Sequence, residues 1–213
     1  MIGFVIRVGE ATTSTFTREM DGGIWRYTYE AGNGREITIA KVSVNFSKSE
    51  ILDAYRRLNQ QYAASLIGRT SQQPRDVDVA LTFTRPLSFE EVMEIRRNTG
   101  LSAQLYTVVA MNEDDEKGTL TVVAGEDSAI SMSKANEMIA SQGFKFMGIM
   151  VIHGKISNSQ GGLGRLLADN RIYLVDMTAN RVREDLLANG EHLDQVREMY
   201  VHIPSPFWDM PWK

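Results

Sequence analysis

The sequence predicts an α+β fold whose middle, residues 77–155, forms a ferredoxin-like βαββαβ sandwich, and three observations carry that expectation. Val77, Val79, Leu81 and Phe83 alternate with small or polar residues, the period of a strand with one buried face. Directly after them, Ser88 and Glu91 have the spacing of a capping box that opens a helix. Two further apolar runs are separated by the charged reversal Glu113 to Gly118, as in a hairpin. Strand, helix, strand, strand, helix, strand is the order that lays two helices on one face of an antiparallel sheet.

Upstream, residues 1–68 are expected to form a ββα unit. Trp25 to Glu30 alternates, and Asn33-Gly34 supplies the left-handed turn residues of a tight hairpin into Arg35 to Phe46. Ile37 and Ile39 occupy one parity of the second strand and Val42, Val44 and Phe46 the other, so a bulge or break near Ala40-Lys41 is expected. Ser47 and Glu50 have capping-box form, and Ile51, Tyr55, Leu58, Tyr62 and Leu66 then recur at helical spacing until Gly68. The polar, proline-containing stretch Arg69 to Arg75 is the expected domain boundary.

Within the sandwich, Arg85-Pro86 is expected to end the first, half-buried strand. Leu87 and Val92 stand where a hydrophobic staple clamps the entry of a helix that closes at Gly100. Ala103 to Met111 and Thr119 to Ala124 make the hairpin. Ser131 or Ser133 is the expected cap of the second helix, which Gly143 ends, and Phe144 to His153, apolar on both parities, reads as a central buried strand. Gly162 to Leu167, Arg171 to Met177 and Asn180 to Leu187 follow as helix, strand and helix, extending this domain over residues 77–203, with 204–213 an aromatic, proline-rich tail.

Composition limits the chemistry. The chain has 213 residues, 43% hydrophobic and 23% charged, which suffices for the core of one large domain or two small ones. Net charge is −4, with Arg and Lys scattered among acids, so no basic stripe exists to neutralise a phosphate backbone and nucleic acid is not an expected partner. The chain has no Cys, and His153, His192 and His202 lie far apart, which removes thiol catalysis and the soft ligands of a zinc or iron–sulfur site. Ile2 to Val8 is much shorter than the roughly 20 residues of a spanning helix and contains Arg7. The expectation is a cytoplasmic location as the sequence stands, and an extracytoplasmic one if a membrane anchor upstream of Met1 has been removed.

Val77 to Glu91 (VDVALTFTRPLSFEE), Phe146 to Gly154 (FMGIMVIHG) and Leu166 to Asp176 (LLADNRIYLVD) resemble the extracytoplasmic C-terminal domains of bacterial anti-sigma regulators. The resemblance rests on patterned apolar positions and carries no catalytic signature. It implies a non-enzymatic sensing or protein-binding module outside the membrane.

Ser131 and Lys134 fit the Ser-x-x-Lys of acyl-serine enzymes, but no Ser-Asp-Asn or Lys-Thr-Gly accompanies them, and helix capping accounts for the serine. The acidic run Glu113 to Glu116 lacks the glycine and the distal glutamate of a calcium loop and reads as a solvated turn. His153, on an apolar strand, reads as a hydrogen-bonded core histidine. No catalytic, metal-binding or cofactor-binding residue is assigned, and no cofactor is expected. Gly161, Gly162, Gly164 and Arg165 either present backbone N–H groups and a cation to an anion or form an unoccupied connection. Phe207, Trp208 and Trp212 either dock back onto the fold or act as a partner-binding tail.

These readings favour a non-catalytic binding or regulatory module whose partner is a protein or a small ligand. Two alternatives stay open. One is an enzyme or small-ligand-binding protein with its site between the N-terminal unit and the sandwich. The other is a structural or assembly protein, a homo-oligomer joined through exposed sheet edges.

Overall fold

The structure is a computed structural model that describes residues 2–8, 16–30, 38–68, 76–124, 128–157, 161–188, 197–203 and 206. It is α+β, and two compact units divide the chain: residues 1–59 with 177–210, and residues 60–176 with 211–213. The first division falls inside α1 (Ser49–Gly68), not in the stretch 69–75, which lies outside the described residues.

The first unit holds a sheet in the order β1-β10-β4-β3-β2, from β1 (Ile2–Val8), β2 (Phe16–Met20), β3 (Trp25–Glu30), β4 (Thr38–Val44) and β10 (Arg197–Ile203). β10 explains why the expected limits of 1–68 and 77–203 do not hold. It pairs antiparallel with β1, from Ile2↔Ile203 to Val8↔Arg197, and parallel with β4, so a C-terminal strand completes an N-terminal sheet. Consecutive strands are neighbours in roughly two-thirds of cases, and β10 belongs to the remainder. Pairing between β3 and β4 runs unshifted from Trp25↔Val44 to Glu30↔Ile39, so the expected bulge at Ala40-Lys41 is absent. β4 lies between two other strands, and the one-face parity rule behind that expectation applies less strictly there. The Asn33-Gly34 turn lies outside the described residues.

On β3, Trp25, Tyr27 and Tyr29 are buried while Arg26 is exposed, and Tyr27 and Tyr29 stand opposite buried Val42 and Ala40. α1 and α5 (Thr178–Ala188) are tied together by Tyr55 and Asn59. The Tyr55 and Thr178 hydroxyls are 2.6 Å apart, and the Met177 N–H donates to Asn59 Oδ1 at 2.7 Å. The expected Ser47 capping box is not built: helix α1 begins at Ser49, and the Ser47 hydroxyl donates to Asn45 Oδ1 at 2.6 Å.

The second unit contains β5 (Asp76–Leu87), α2 (Phe89–Thr99), β6 (Ser102–Met111), β7 (Lys117–Val123), α3 (Ser128–Ser141) and β8 (Lys145–Ser157), the βαββαβ order expected. α4 (Gly162–Ala168) and β9 (Ile172–Asp176) follow. The strand order is β7-β6-β8-β5-β9. A ferredoxin-like sheet instead sets β5 between β8 and β7, so that part of the expectation is corrected: here β8 is inserted between β5 and β6. Local pattern specifies elements, and the slot that β8 enters is decided by long-range pairing. Both helices lie on one face. Tyr106 meets α2, with the Phe89 ring edge-on at 6.3 Å and Arg96 Nη1 donating to its hydroxyl at 2.7 Å, while Ala110, on the same parity of β6, lines a slot with Met138 and Ile139 of α3.

Three local expectations also change. β5 runs through Arg85-Pro86 because its register with β8 shifts between Thr82 and Leu87, an irregularity that accommodates the missing proline donor. Val79 to Phe83 are buried on both parities, since β5 lies inside the sheet. α3 starts at Ser128, which places Ser131 and Ser133 inside the helix instead of at its cap. The Ser88 capping box is present in both halves, and Gly100 closes α2 in the left-handed region at φ 75°.

Candidate functional site

Across β8, β5 and β9, His153, Ala80 and Asp176 stand opposite one another, on the face turned away from α2 and α3. Thr82 and the Asp78–Lys155 ion pair, at 3.8 Å, share that face. His153 and Asp176 are buried, with exposures of 4% and 3%. Burial pushes the His153 imidazole down to about 4, so it is neutral at ordinary pH. Two strand spacings, about 9.5 Å, separate the backbones of His153 and Asp176, which is not the spacing of an acid–base pair. Among the described residues, no three His, Asp or Glu side chains are grouped to hold a metal ion.

The glycine loop turns out to be a packing device. Gly162 is buried, and a Cβ there would stand 2.1 Å from the Thr99 carbonyl oxygen, so glycine lets α4 approach the end of α2. Gly161 turns the chain at φ 66°, Gly164 faces Ile67, and Arg165 is exposed. Phe207, Trp208 and Trp212 lie outside the described residues, and Pro206 before them is buried.

In the first unit, an open groove of about 520 Å³ is lined by Trp25, Arg26, Ser43, Asn45 and Lys48 among others. Four of these five, all but Trp25, are exposed, so the groove is a surface concavity without an enclosed polar site.

The second unit offers a more distinctive surface. β7 forms one edge of its sheet and, among the described residues, pairs with β6 alone, from Leu105↔Val123 to Met111↔Lys117 without a shift. Its sequence, KGTLTVV, contains no proline and carries its one charge at the start. Bulges, prolines and charges are the usual protections of a sheet edge, and β7 has little of them. Val123 is 68% exposed.

Beside this edge, α3 and β7 enclose a slot of about 140 Å³ lined by Ala110, Gly118, Leu120, Met138, Ile139 and Phe144, with Thr119 and Gln142 as its polar members. Met138 at its rim is 44% exposed. Phe144 also borders a second hollow of about 400 Å³, with Met111 and Met147. Three methionines thus flank one phenylalanine, and thioether side chains adapt to varied apolar surfaces. The sequence marks β7 as the return strand of a hairpin but not its position, because only pairing shows which strand is left at an edge.

Comparison with protein-family models, with curated proteins and with solved structures gave no match. Among the described residues, no helix is long and apolar enough to cross a membrane.

Proposed function

We propose that this chain is a non-catalytic protein-binding module of the regulatory kind, as its resemblance to the anti-sigma regulator domains implies. Its docking surface is the β7 edge with the α3 slot. The observation that carries this is the unprotected edge strand beside an apolar slot. An edge strand presents backbone donors and acceptors in an extended row, which another extended chain satisfies by adding a strand. The slot beside Leu120 then takes an apolar side chain from the added segment, and alternate positions of that segment turn to solvent.

A displayed library of random heptapeptides, selected on the full chain, tests this. The expected result is enrichment of peptides with alternating apolar residues that slow amide hydrogen exchange in β7 and bind at least tenfold more weakly to Met138→Lys. Met138 is exposed, so the substitution leaves the core intact. Selected peptides that protect other strands, or no enrichment at all, overturn the reading.

A further inference from the structure

We infer that the segment seated on β7 is the β7 of a second copy, joined antiparallel about a two-fold axis at Leu120. This deepens the docking reading above and rests on it.

The other sheet edges are less suited to pairing. β2 (FTREM) carries Arg18 and Glu19, β1 carries Arg7, and β9 has five residues preceded by the Asp169–Arg171 ion pair. Among the described residues, β1 matches β7 in length and unshifted register, but β7 keeps its one charge at the very end of the strand and lies beside an apolar slot.

Its sequence is also self-complementary. With Leu120 opposite the second copy's Leu120, all seven residues of each strand find a partner. On the helix side, Gly118 faces Val122, so the residue without a side chain meets a branched one. On the other side, Thr119 faces Thr121, a favourable cross-strand pair, and Lys117 lays its alkyl stem against the exposed Val123. No like charges meet in the ladder, because each strand's lysine lies at the opposite end from the other's. The axis also brings the two α3 slots together at the Leu120 pair, which covers the apolar lining from both sides. A closed two-fold contact of this type uses up both edges and does not propagate into a fibre.

The absence of cysteine allows a direct test. Thr119→Cys and Thr121→Cys alter exposed positions. Directly opposite residues of antiparallel strands have Cα atoms about 4.5–5.5 Å apart, inside the range of a disulfide. Identical positions are offset by a further ~7 Å along the strand and fall outside it.

Mild oxidation of the two variants mixed is expected to give a cross-linked dimer, while either variant alone gives none. Light scattering of the unmodified chain at about 100 μM should show a dimer, with Kd below that concentration. Val123→Glu sets a carboxylate opposite the second copy's Lys117 and should tighten the dimer a few-fold. A dimer that does not cross-link in the mixture overturns the proposal, as does a monomer at that concentration. If the monomer still binds library peptides along β7, only this inference falls. If it binds none, the docking reading falls with it.

Discussion

Arg181 of α5 grips Asp21 of the β2–β3 turn with both terminal guanidinium nitrogens, Nη2 standing 2.6 Å from Oδ1. Asp21 holds a left-handed backbone, φ 52°, and also accepts the Trp25 indole N–H at 2.9 Å. Arg181 lies 5.8 Å from the centre of the Trp25 ring. One helical turn on, Asp185 receives Arg18 at 3.2 Å and the Tyr27 hydroxyl, so two rungs of α5 fasten one hairpin. The Arg181–Asp21 pair is partly buried, with side-chain exposures of 18% and 15%. Arg181→Met is therefore expected to cost about 2 kcal/mol, between surface and fully buried pairs. Arg181→Lys, which keeps the charge and loses the two-pronged geometry, should fall between. Urea unfolding of the three proteins checks this order.

His153 makes stability depend on pH. Its folded pKa of about 4 lies below the unfolded value of 6.5, so the unfolded chain binds the extra proton first on acidification. Its contribution is present in full above pH 6.5 and declines towards pH 4, by up to about 3 kcal/mol. In His153→Leu, the slope of unfolding free energy over that interval should flatten. An unchanged slope would show that other groups produce it.

Ser88→Ala removes the hydroxyl that accepts the Glu91 N–H at 3.2 Å and leaves the Glu91 carboxylate still bonded to the residue 88 amide. Half of the box is lost, at about 1 kcal/mol, which for a chain of this size lowers Tm by ~2–4 °C. Ser88→Asp should recover most of it, and differential scanning calorimetry separates the three.

Two glycines stand where neither backbone can yield. Gly154→Ala would bring a Cβ to 2.4 Å from the Ser102 carbonyl oxygen, and Gly162→Ala to 2.1 Å from that of Thr99. Each is expected to destabilise by about 3 kcal/mol, the upper part of the overpacking range. Gly143→Ala is the control for conformation alone, because it has φ 79° with no atom within 4 Å of an added Cβ. It should cost about 1 kcal/mol in chemical denaturation.

Sequence legibility followed the range of the forces involved. α1, α2 and the β6–β7 hairpin are written in local signals, such as the Ser88–Glu91 spacing and the charged reversal Glu113 to Gly118, and the structure keeps them. Ser131 misled because a serine inside a helix looks the same in sequence as one at its cap. The apolar run Phe144 to His153 marked β8 as a central strand, but its neighbours and the whole of β10 were illegible, since they depend on pairings such as Ala80↔His153 and Val201↔Ala40. The β7 surface was legible in part: the strand showed as the return arm of a hairpin after the Glu113 to Gly118 reversal, and its place at an edge followed only from the sheet order.

The parallel seam between β10 and β4 also sets a timetable for synthesis. When β4 leaves the ribosome, its neighbour on one side does not yet exist, and β1 has no partner until the same strand arrives. All of residues 60–176 are made in the interval. At about 5–20 residues per second, that wait lasts roughly 10–30 s. The second unit can finish folding on the nascent chain while the first keeps two strands with open sides. β1 and one side of β4 are thus among the last parts to be enclosed, and a holdase chaperone would find its substrate at those two strands while residues 76–157 have already folded.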